Sequence, residues 1–297
     1  MPKRLIQGQA TKLGRSVHNI RYDPVHDEII AAHPVAQAIL VFRGGADGNE
    51  APIRTIMGPK TQLWDPDYVG VDGSHNEIYV TSGERVLVFN QPANGDVAPL
   101  RIIQGPKTQL WDPDFVGVSG ANNEIYVTSG ERVLVFNQQA NGDVAPLRII
   151  EGPDTMLGRM RGAPQVAEDP DLMVVASGPI PGQPDKGNGA MLIFKRTDNG
   201  NVKPQRVITS VSVSGEFIVA PKGWILISGG RGADRGVRIW SVFDNGDVPP
   251  RWIFGGPRSN FTGGDLTLNR AAKELIALGS DNLTGYPLPE IFDIDAN

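Results

Sequence analysis

Residues 86–104, VLVFNQPANGDVAPLRIIQ, carry the pattern that decides the fold. Runs of β-branched and aromatic residues flank the pair Asn94-Gly95, which suits turn positions that need positive φ. Pro99 stands at the start of the second run, where a missing N–H is tolerated only on a sheet edge. The stretch therefore predicts two adjacent strands that form the outer hairpin of a sheet.

This hairpin pattern recurs along the whole chain. Close or looser copies lie at residues 133–151, 191–209, 237–255 and 39–57. A sixth copy begins at residues 290–292, with a strand expected near Phe292, and lacks its second half. Residues 2–8 resemble that missing half. The repeats predict six units in a ring that closes by pairing of its N- and C-terminal strands.

Each unit also contains two inner strands. In residues 58–105 a polar loop precedes strands at 68–71 and 77–81, and a tight link at 82–85 leads to the outer hairpin. Four antiparallel strands per unit predict an all-β fold, a six-bladed β-propeller forming one domain over residues 1–297. The expected blades are 17–57, 68–104, 115–151, 163–209, 215–255, and 264–294 with 3–7.

Two blades are near copies of each other. Residues 55–101 repeat as 102–148 with seven differences, which indicates an internal duplication. The spacing between equivalent phenylalanines then grows by 11 residues because of extra sequence at 178–189, and a smaller excess is assigned to 280–288. Both fall on the face of the links between blades, and insertions on one face of a repeat array commonly mark the binding side.

Composition excludes several classes of function. A net charge of -5 gives no basic field for nucleic acid, and the absence of cysteine excludes disulfides and thiolate metal sites. No stretch approaches the apolar length of a membrane span, and the first residues, MPKRLIQGQATK, lack the apolar core of a signal peptide. Neither a Ser–His–Asp triad nor a phosphate-binding loop is evident, so the chain leans away from enzymes.

The repeats resemble a known family. The motifs NEIYVTS (76–82 and 123–129) and ANGDVAPLRII (93–103 and 140–150) are similar to the repeats of NHL-like six-bladed β-propellers. The resemblance covers nearly the whole chain, strongly over 52–152 and weakly after 157. It implies the propeller fold and, because many bacterial relatives are exported, an extracytoplasmic location. The architecture serves interaction modules, sugar or peptide binders, lyases and calcium-dependent lactonases alike.

The motif Trp64-Asp65-Pro66-Asp67 and its copy Trp111-Asp112-Pro113-Asp114 precede two innermost strands, at the mouth of the central channel. One interpretation is an acidic, aromatic-lined pocket for a cation, a sugar or a metal. The other is structural: Asp-Pro shapes the loop, an aspartate caps the strand, and the tryptophan packs between blades. The other four blades lack the motif, so any site there is lopsided.

Other blades place His18, Arg161 and Glu216 at corresponding positions. Acids and arginines around one channel mouth could bind a zwitterion or a polyanion, or the arginines could simply neutralise the acids. A histidine there could act as a general base, although an isolated histidine is more often a surface or packing residue.

Calcium is the cofactor to consider, because carboxylate and carbonyl oxygens are its preferred ligands. The resemblance to calcium-dependent lactonase propellers implies Asp67, Asp114 and Asp265 as candidate metal ligands on the axis.

The sequence thus favours a binding module whose partner, a small molecule, a glycan or a peptide, lies at the channel mouth. The alternative is a calcium-dependent hydrolase or lactonase with its site on the propeller axis. A third interpretation is a structural spacer without a ligand.

Overall fold

The computed structural model describes residues 2–14, 16–178, 189–211, 216–230, 235–256, 258–261 and 263–294. Within these ranges the strands are β1 (Arg4–Gln7), β2 (Asn19–Asp23), β3 (Glu28–His33), β4 (Ala38–Arg43), β5 (Arg54–Met57), β6 (Pro66–Asp72), β7 (Glu77–Ser82), β8 (Val86–Asn90), β9 (Arg101–Ile103), β10 (Pro113–Ser119), β11 (Glu124–Ser129), β12 (Val133–Asn137), β13 (Arg148–Ile150), β14 (Gln165–Ala167), β15 (Leu172–Ser177), β16 (Gly189–Lys195), β17 (Arg206–Val211), β18 (Phe217–Val219), β19 (Trp224–Gly229), β20 (Gly236–Ser241), β21 (Trp252–Gly255), β22 (Leu266–Asn269), β23 (Glu274–Leu278) and β24 (Asn282–Pro287). Short 3-10 helices lie at Gln9–Thr11, Pro59–Thr61, Pro106–Thr108, Gly120–Asn122, Pro153–Thr155 and Pro221–Gly223, and one helical turn, α1, spans Glu290–Asp293.

The strands form six antiparallel four-stranded sheets, which confirms the predicted six-bladed propeller. Five sheets follow chain order, from β2-β3-β4-β5 to β18-β19-β20-β21, with the first strand innermost. The sixth has the order β1-β24-β23-β22, so the N-terminal strand is the outermost strand of the last blade. The prediction of a ring closed by the two ends of the chain is therefore confirmed.

The last blade differs from the sequence prediction in its register. Its third strand is β24, in which Tyr286 pairs with Leu275 as Phe89 pairs with Ile78 in the second blade. Residues 280–288 are therefore not an insertion, and the strand expected near Phe292 is wrong, since Phe292 lies in α1. Tyr286 is fully buried between blades. This burial explains why residues 282–287 form the third strand and residues 291–293 do not.

The apolar core lies between neighbouring blades. Each of the six clusters of buried side chains joins residues of two adjacent sheets, as where Val88 and Phe136 meet across the second and third blades. The second and third strands are buried along nearly their whole length. Hydrophobic burial therefore holds each blade face to face against the next.

Five outer hairpin loops of the described residues also connect neighbouring blades, four through an Asn-Gly pair and one through Asp-Gly. Asn94 Oδ1 accepts a hydrogen bond from Thr55 N (3.0 Å) in the preceding blade, and Gly95 bonds Thr55 O (2.7 Å) and Met57 N (3.1 Å). The contact adds a short parallel bridge to the outermost strand of the preceding blade. Five loops make it, through Asp47-Gly48, Asn94-Gly95, Asn141-Gly142, Asn199-Gly200 and Asn245-Gly246. We call this contact the Asn-Gly clasp.

A buried ion pair supports four of the blades. Arg101 Nη1 lies 2.7 Å from Glu77 Oε1, and Arg101 Nη2 donates to Gln138 O (2.9 Å) in the next blade. The same pair recurs as Arg4 with Glu274, Arg54 with Glu28, and Arg148 with Glu124. In the fifth blade tryptophans occupy both positions, and the rings of Trp224 and Trp252 lie 4.6 Å apart.

The alternation of strand direction sorts the loops onto two faces. The links between blades and the turns between second and third strands share one face, which we call the cleft face. The turns between first and second strands and the outer hairpin loops lie on the opposite face, which we call the hairpin face.

Two glycines, one in the clasp and one directly after the strand that the clasp extends, provide a test of the local backbone requirements. Gly95 has φ 76 in open space, whereas Gly58 has φ 130 and a Cβ there would lie 2.6 Å from Asp96 Cγ. We expect Gly95→Ala to lower the free energy of unfolding by about 1 kcal/mol, the usual cost of left-handed backbone for a residue with a Cβ. Gly58→Ala should cost more because the new methyl group meets Asp96. Urea unfolding of both variants measures this, and equal losses would contradict it.

Candidate functional site

The two tryptophan loops have the same local conformation. After the 3-10 turn Pro59–Thr61, Asp65 has φ 48, and its equivalent Asp112 has φ 51. Ser82 Oγ accepts from Trp64 N (2.7 Å) and donates to Trp64 O (2.8 Å). Ser129 holds the backbone of Trp111 in the same way. The sequence analysis missed these serines, although each recurs at the end of the second strand of its blade.

These serine hydrogen bonds hold the backbone of each loop, and both indoles are exposed. Trp64 is 66% exposed and Trp111 is 64% exposed, so the predicted packing of these rings between blades is wrong. Asp65 and Asp112 do shape the loop, as the structural interpretation expected, through their left-handed backbone. The rings are therefore available to a ligand, which buried packing would have prevented.

Both loops border one cleft of ≈ 330 Å³ between the second and third blades, on the cleft face. Its lining brings together Trp64, Asp65, Asp67, Trp111, Asp112 and Asp114, with Glu84. No lysine or arginine is among the described residues that line it. We call it the tryptophan cleft.

Carboxylates repel one another inside the tryptophan cleft. Burial, followed by the charges of Asp112 and Asp67, raises the pKa of the Asp114 carboxyl above its ordinary value, while Arg159 opposes this. Asp67 Oδ1 lies 2.6 Å from His18 Nδ1, so the predicted residue His18 borders this group of acids. A cation in the cleft would relieve the repulsion, and the tryptophan faces would attract it as well.

The other predicted residues lie elsewhere. Arg161 is exposed, its backbone N–H bonds Ala176 O, and it does not line the cleft. Most of the insertion predicted at 178–189 lies outside the described residues. Glu216 and Asp265 belong to a buried cluster on the ring axis together with Asn19, Arg21 and Tyr68.

Asp265 is fully bonded in this axial cluster. Its carboxylate accepts from Asn19 Nδ2 (2.6 Å), Ile20 N (2.6 Å), Leu266 N (2.7 Å) and Arg21 Nη1 (3.2 Å). Asn19 Oδ1 in turn accepts from Val69 N (2.9 Å) in the next blade. Side chains of one innermost strand thus satisfy the free backbone edge of the next, because that edge has no neighbouring strand.

Glu216 occupies the position of Asn19 and Asp265 in its own strand but has no such donor. Leu266 N, the equivalent donor in the next blade, is already bonded to Asp265. Neither carboxylate oxygen of Glu216 accepts a hydrogen bond of ordinary geometry from the residues that the structure describes, and Arg21 Nη2 lies 3.6 Å away. Burial, with a further contribution from the charge of Asp265, raises the pKa of Glu216 to about 8, although Arg21 and Tyr68 oppose this.

The candidate calcium ligands are not grouped together. Asp67 and Asp114 line the tryptophan cleft, whereas Asp265 is bonded within the axial cluster beside the Arg21 guanidinium. In the part of the chain that the structure describes, no three His, Cys, Asp or Glu side chains are arranged to hold a metal ion. The calcium site at these three residues stays a prediction.

No protein-family model matches the chain, and no curated protein matches it. Solved structures do match. A chain of Kuenenia stuttgartiensis hydrazine synthase is 12% identical with a TM-score of 0.61, over 89% of this chain and 73% of that one. A chain of the nidogen/laminin complex is 13% identical with a TM-score of 0.60, over 85% of both chains. The Myceliophteria thermophila Cps50 (Swd1) propeller domain is 8% identical with a TM-score of 0.58, over 97% of this chain and 99% of that one.

These likenesses show the β-propeller fold alone, because all three identities are low. The NHL-type resemblance of the repeats therefore stays a prediction. No helix among the described residues is long and apolar enough to cross a membrane.

The raised pKa of Glu216 makes stability depend on pH. The folded protein holds the Glu216 proton more tightly than the unfolded chain does, so the free energy of unfolding should fall between about pH 4.5 and about pH 8. We expect Glu216→Gln, a neutral isostere of the protonated acid, to reduce this fall. Denaturant unfolding at pH 5 and pH 8.5 measures it.

Glu168→Gln is the matched control because Glu168 is exposed. If Glu216→Gln changed stability equally at both pH values, the assignment of the raised pKa to Glu216 would be incorrect.

Proposed function

We propose that this propeller is a binding module and that the tryptophan cleft takes a positively charged group of a peptide or a small molecule. One observation carries the proposal. Two exposed indoles and five carboxylates, from Asp65, Asp67, Glu84, Asp112 and Asp114, line a single cleft.

The chemistry of the cleft favours a cation over the other partners considered. Tryptophan is the aromatic side chain that attracts a cation most strongly, and a carboxylate pairs with the same charge. A neutral glycan could stack on Trp64 or Trp111 but would leave the repulsion around Asp114 in place. A nucleic-acid phosphate would add to the negative charge, which the net charge of -5 also disfavours.

The size and position of the cleft suit part of a larger partner. At ≈ 330 Å³ it lies at the small end of ligand sites, so it fits one lysine or arginine side chain or a small amine better than a folded surface. Propellers of similar fold occur in structures described as a mitotic checkpoint complex and a nidogen/laminin complex. A protein or peptide partner for this chain is in keeping with those assemblies.

The indoles can be tested directly. We expect the wild type to bind a Lys-Gly repeat peptide more tightly than its acetyl-lysine counterpart, because acetylation removes the positive charge. Trp64→Ala with Trp111→Ala should weaken binding by about tenfold or more, since each cation–π contact contributes roughly 0.5–2 kcal/mol. Isothermal titration calorimetry at low salt measures both effects.

Matched variants separate a specific site from general negative charge. Asp65→Asn with Asp112→Asn should weaken binding, whereas Asp281→Asn, which neutralises a half-buried acid on the same face in the last blade, should not. Equal affinity for the charged and acetylated peptides, or equal loss in the Asp281 variant, would contradict the proposal.

The calcium-dependent hydrolase gains no support from the described contacts, because Arg21 already supplies the positive charge beside Asp265. We expect EDTA-treated protein to hydrolyse simple lactones no faster after calcium is added back. Calcium-dependent hydrolysis that Asp67→Asn with Asp114→Asn abolishes would establish the hydrolase instead. A lactone assay with purified protein decides between the two.

A further inference from the structure

A second cavity opens on the hairpin face, opposite the tryptophan cleft. It has a volume of ≈ 350 Å³ and is lined by the innermost strands of all six blades. Each strand contributes one residue to a collar near the opening: Tyr22, Val71, Val118, Val166, Val219 and Leu268. The next level inward consists of Arg21, Gly70, Gly117, Gln165, Ile218 and Thr267. We call this space the axial cavity.

The backbone N–H groups of the collar residues point away from the ladder of their own blade. Tyr22 N donates to Thr267 Oγ1 (2.9 Å), and Val219 N donates to Gln165 Oε1 (2.9 Å). In both cases the acceptor belongs to the preceding blade, at the inner level of the cavity. The strand register gives Val71, Val118, Val166 and Leu268 the same orientation, because alternate residues of an antiparallel strand face its free edge.

These four N–H groups lack the acceptor that Tyr22 and Val219 have. The residue at the acceptor position of the preceding blade is Arg21 before Val71, and it is Gly70, Gly117 and Ile218 before the other three. None of these side chains can accept a hydrogen bond. The two glycines are required by packing, because a Cβ on Gly117 would lie 1.9 Å from Pro164 O and one on Gly70 would lie 2.7 Å from Val118 Cγ2.

Four N–H groups without a side-chain acceptor at this position lie around one axis, where they can donate to an anion. Backbone N–H groups are strong donors that need a partner, and concave groups of them bind oxyanions. Arg21 adds a guanidinium at the inner level, and its buried Nη2 makes no hydrogen bond to the described residues and lies 3.6 Å from Glu216 Oε2. Arg270 stands at the exposed rim.

The nearby acids limit the charge that the cavity can accept. The carboxylate of Asp72 is occupied by Ser74, His75 and Gln138. Glu168 stands at the exposed rim, and Asp265 (3.2 Å) and Glu216 (3.6 Å) both lie against the Arg21 guanidinium. One guanidinium shared with these acids suits a single negative charge better than the double charge of a phosphate.

From this arrangement we infer that the axial cavity binds a small monocarboxylate with an apolar body. The carboxylate faces the N–H groups of the collar and Arg21, and the body packs against the aliphatic side chains of Val71, Val118, Val166 and Leu268. The volume is within the range of small-molecule sites. This site is independent of the tryptophan cleft, because the two lie on opposite faces.

Thermal shift and isothermal titration calorimetry with benzoate and hexanoate test the inference. Benzamide and hexanamide are the controls, since they have the same apolar bodies without the charge. We expect the acids to raise the melting temperature with increasing concentration and the amides not to do so. If neither acid binds, or if the amides bind equally well, the inference is overturned.

A matched pair of variants locates the binding. Val118→Asp places a carboxylate in the collar, while Val118→Asn adds a neutral group of the same shape. We expect Val118→Asp to weaken benzoate binding by about tenfold or more through like-charge repulsion, and Val118→Asn to weaken it much less. Equal affinities of the two variants would overturn the inference.

A second variant keeps the test decisive if Val118→Asp fails to fold. Arg21→Gln with Glu216→Gln removes the guanidinium and one acid together, and it should also lose benzoate binding. Trp64→Ala with Trp111→Ala should retain it, which distinguishes this site from the cleft. Benzoate binding that survives loss of Arg21 would overturn the inference.

Discussion

The ring depends on the Asn-Gly clasp, in which the outer loop of one blade extends the outermost strand of the blade before it. Asn94 and Gly95 satisfy backbone groups of Thr55 and Met57 that would otherwise face solvent on a sheet edge. Five loops repeat the contact around the circumference. Among the described residues, five of the six junctions between blades thus combine backbone hydrogen bonds on the outside with apolar packing between the sheets. This double attachment fixes the angle between blades and so positions every loop on both faces.

The duplication has a spatial consequence at the tryptophan cleft. One copy of the Trp-Asp-Pro-Asp loop would present one indole and two acids on an open face. Two copies on adjacent blades place Trp64 and Trp111 on either side of one cleft. Burial raises the pKa of Asp114, and the further rise from neighbouring charges comes from both loops. The clasp between the same two blades, through Asn141 and Gly142, holds this pairing in place.

The axis of the ring poses the opposite problem from the circumference. Innermost strands have a free edge, and side chains such as Asn19, Gln165 and Asp265 supply acceptors to the next blade. The repeat fails at Gly70 and Gly117, which have no side chain and so offer no side-chain acceptor to the N–H groups of Val118 and Val166. Glu216 shows the reverse failure, an acceptor whose donor is already occupied. Departures from the repeat, rather than the repeat itself, therefore create the polar chemistry on the axis.

The sequence by itself determined the strand pattern, the number of blades and the closure of the ring. Those features follow from local alternation, turn residues and repetition, and each copy of the hairpin sequence shows this pattern by itself. The sequence-based prediction placed the third strand of the last blade near Phe292, whereas burial between blades favours the strand that contains Tyr286. The motif predicted the six residues of the two tryptophan loops as site candidates, and the structure places them around one cleft, but the motif did not predict that the indoles are exposed. Tertiary structure alone separated Asp67 and Asp114 from Asp265 and placed Glu216 beside Arg21, because contacts across blades depend on which backbone donors are already satisfied.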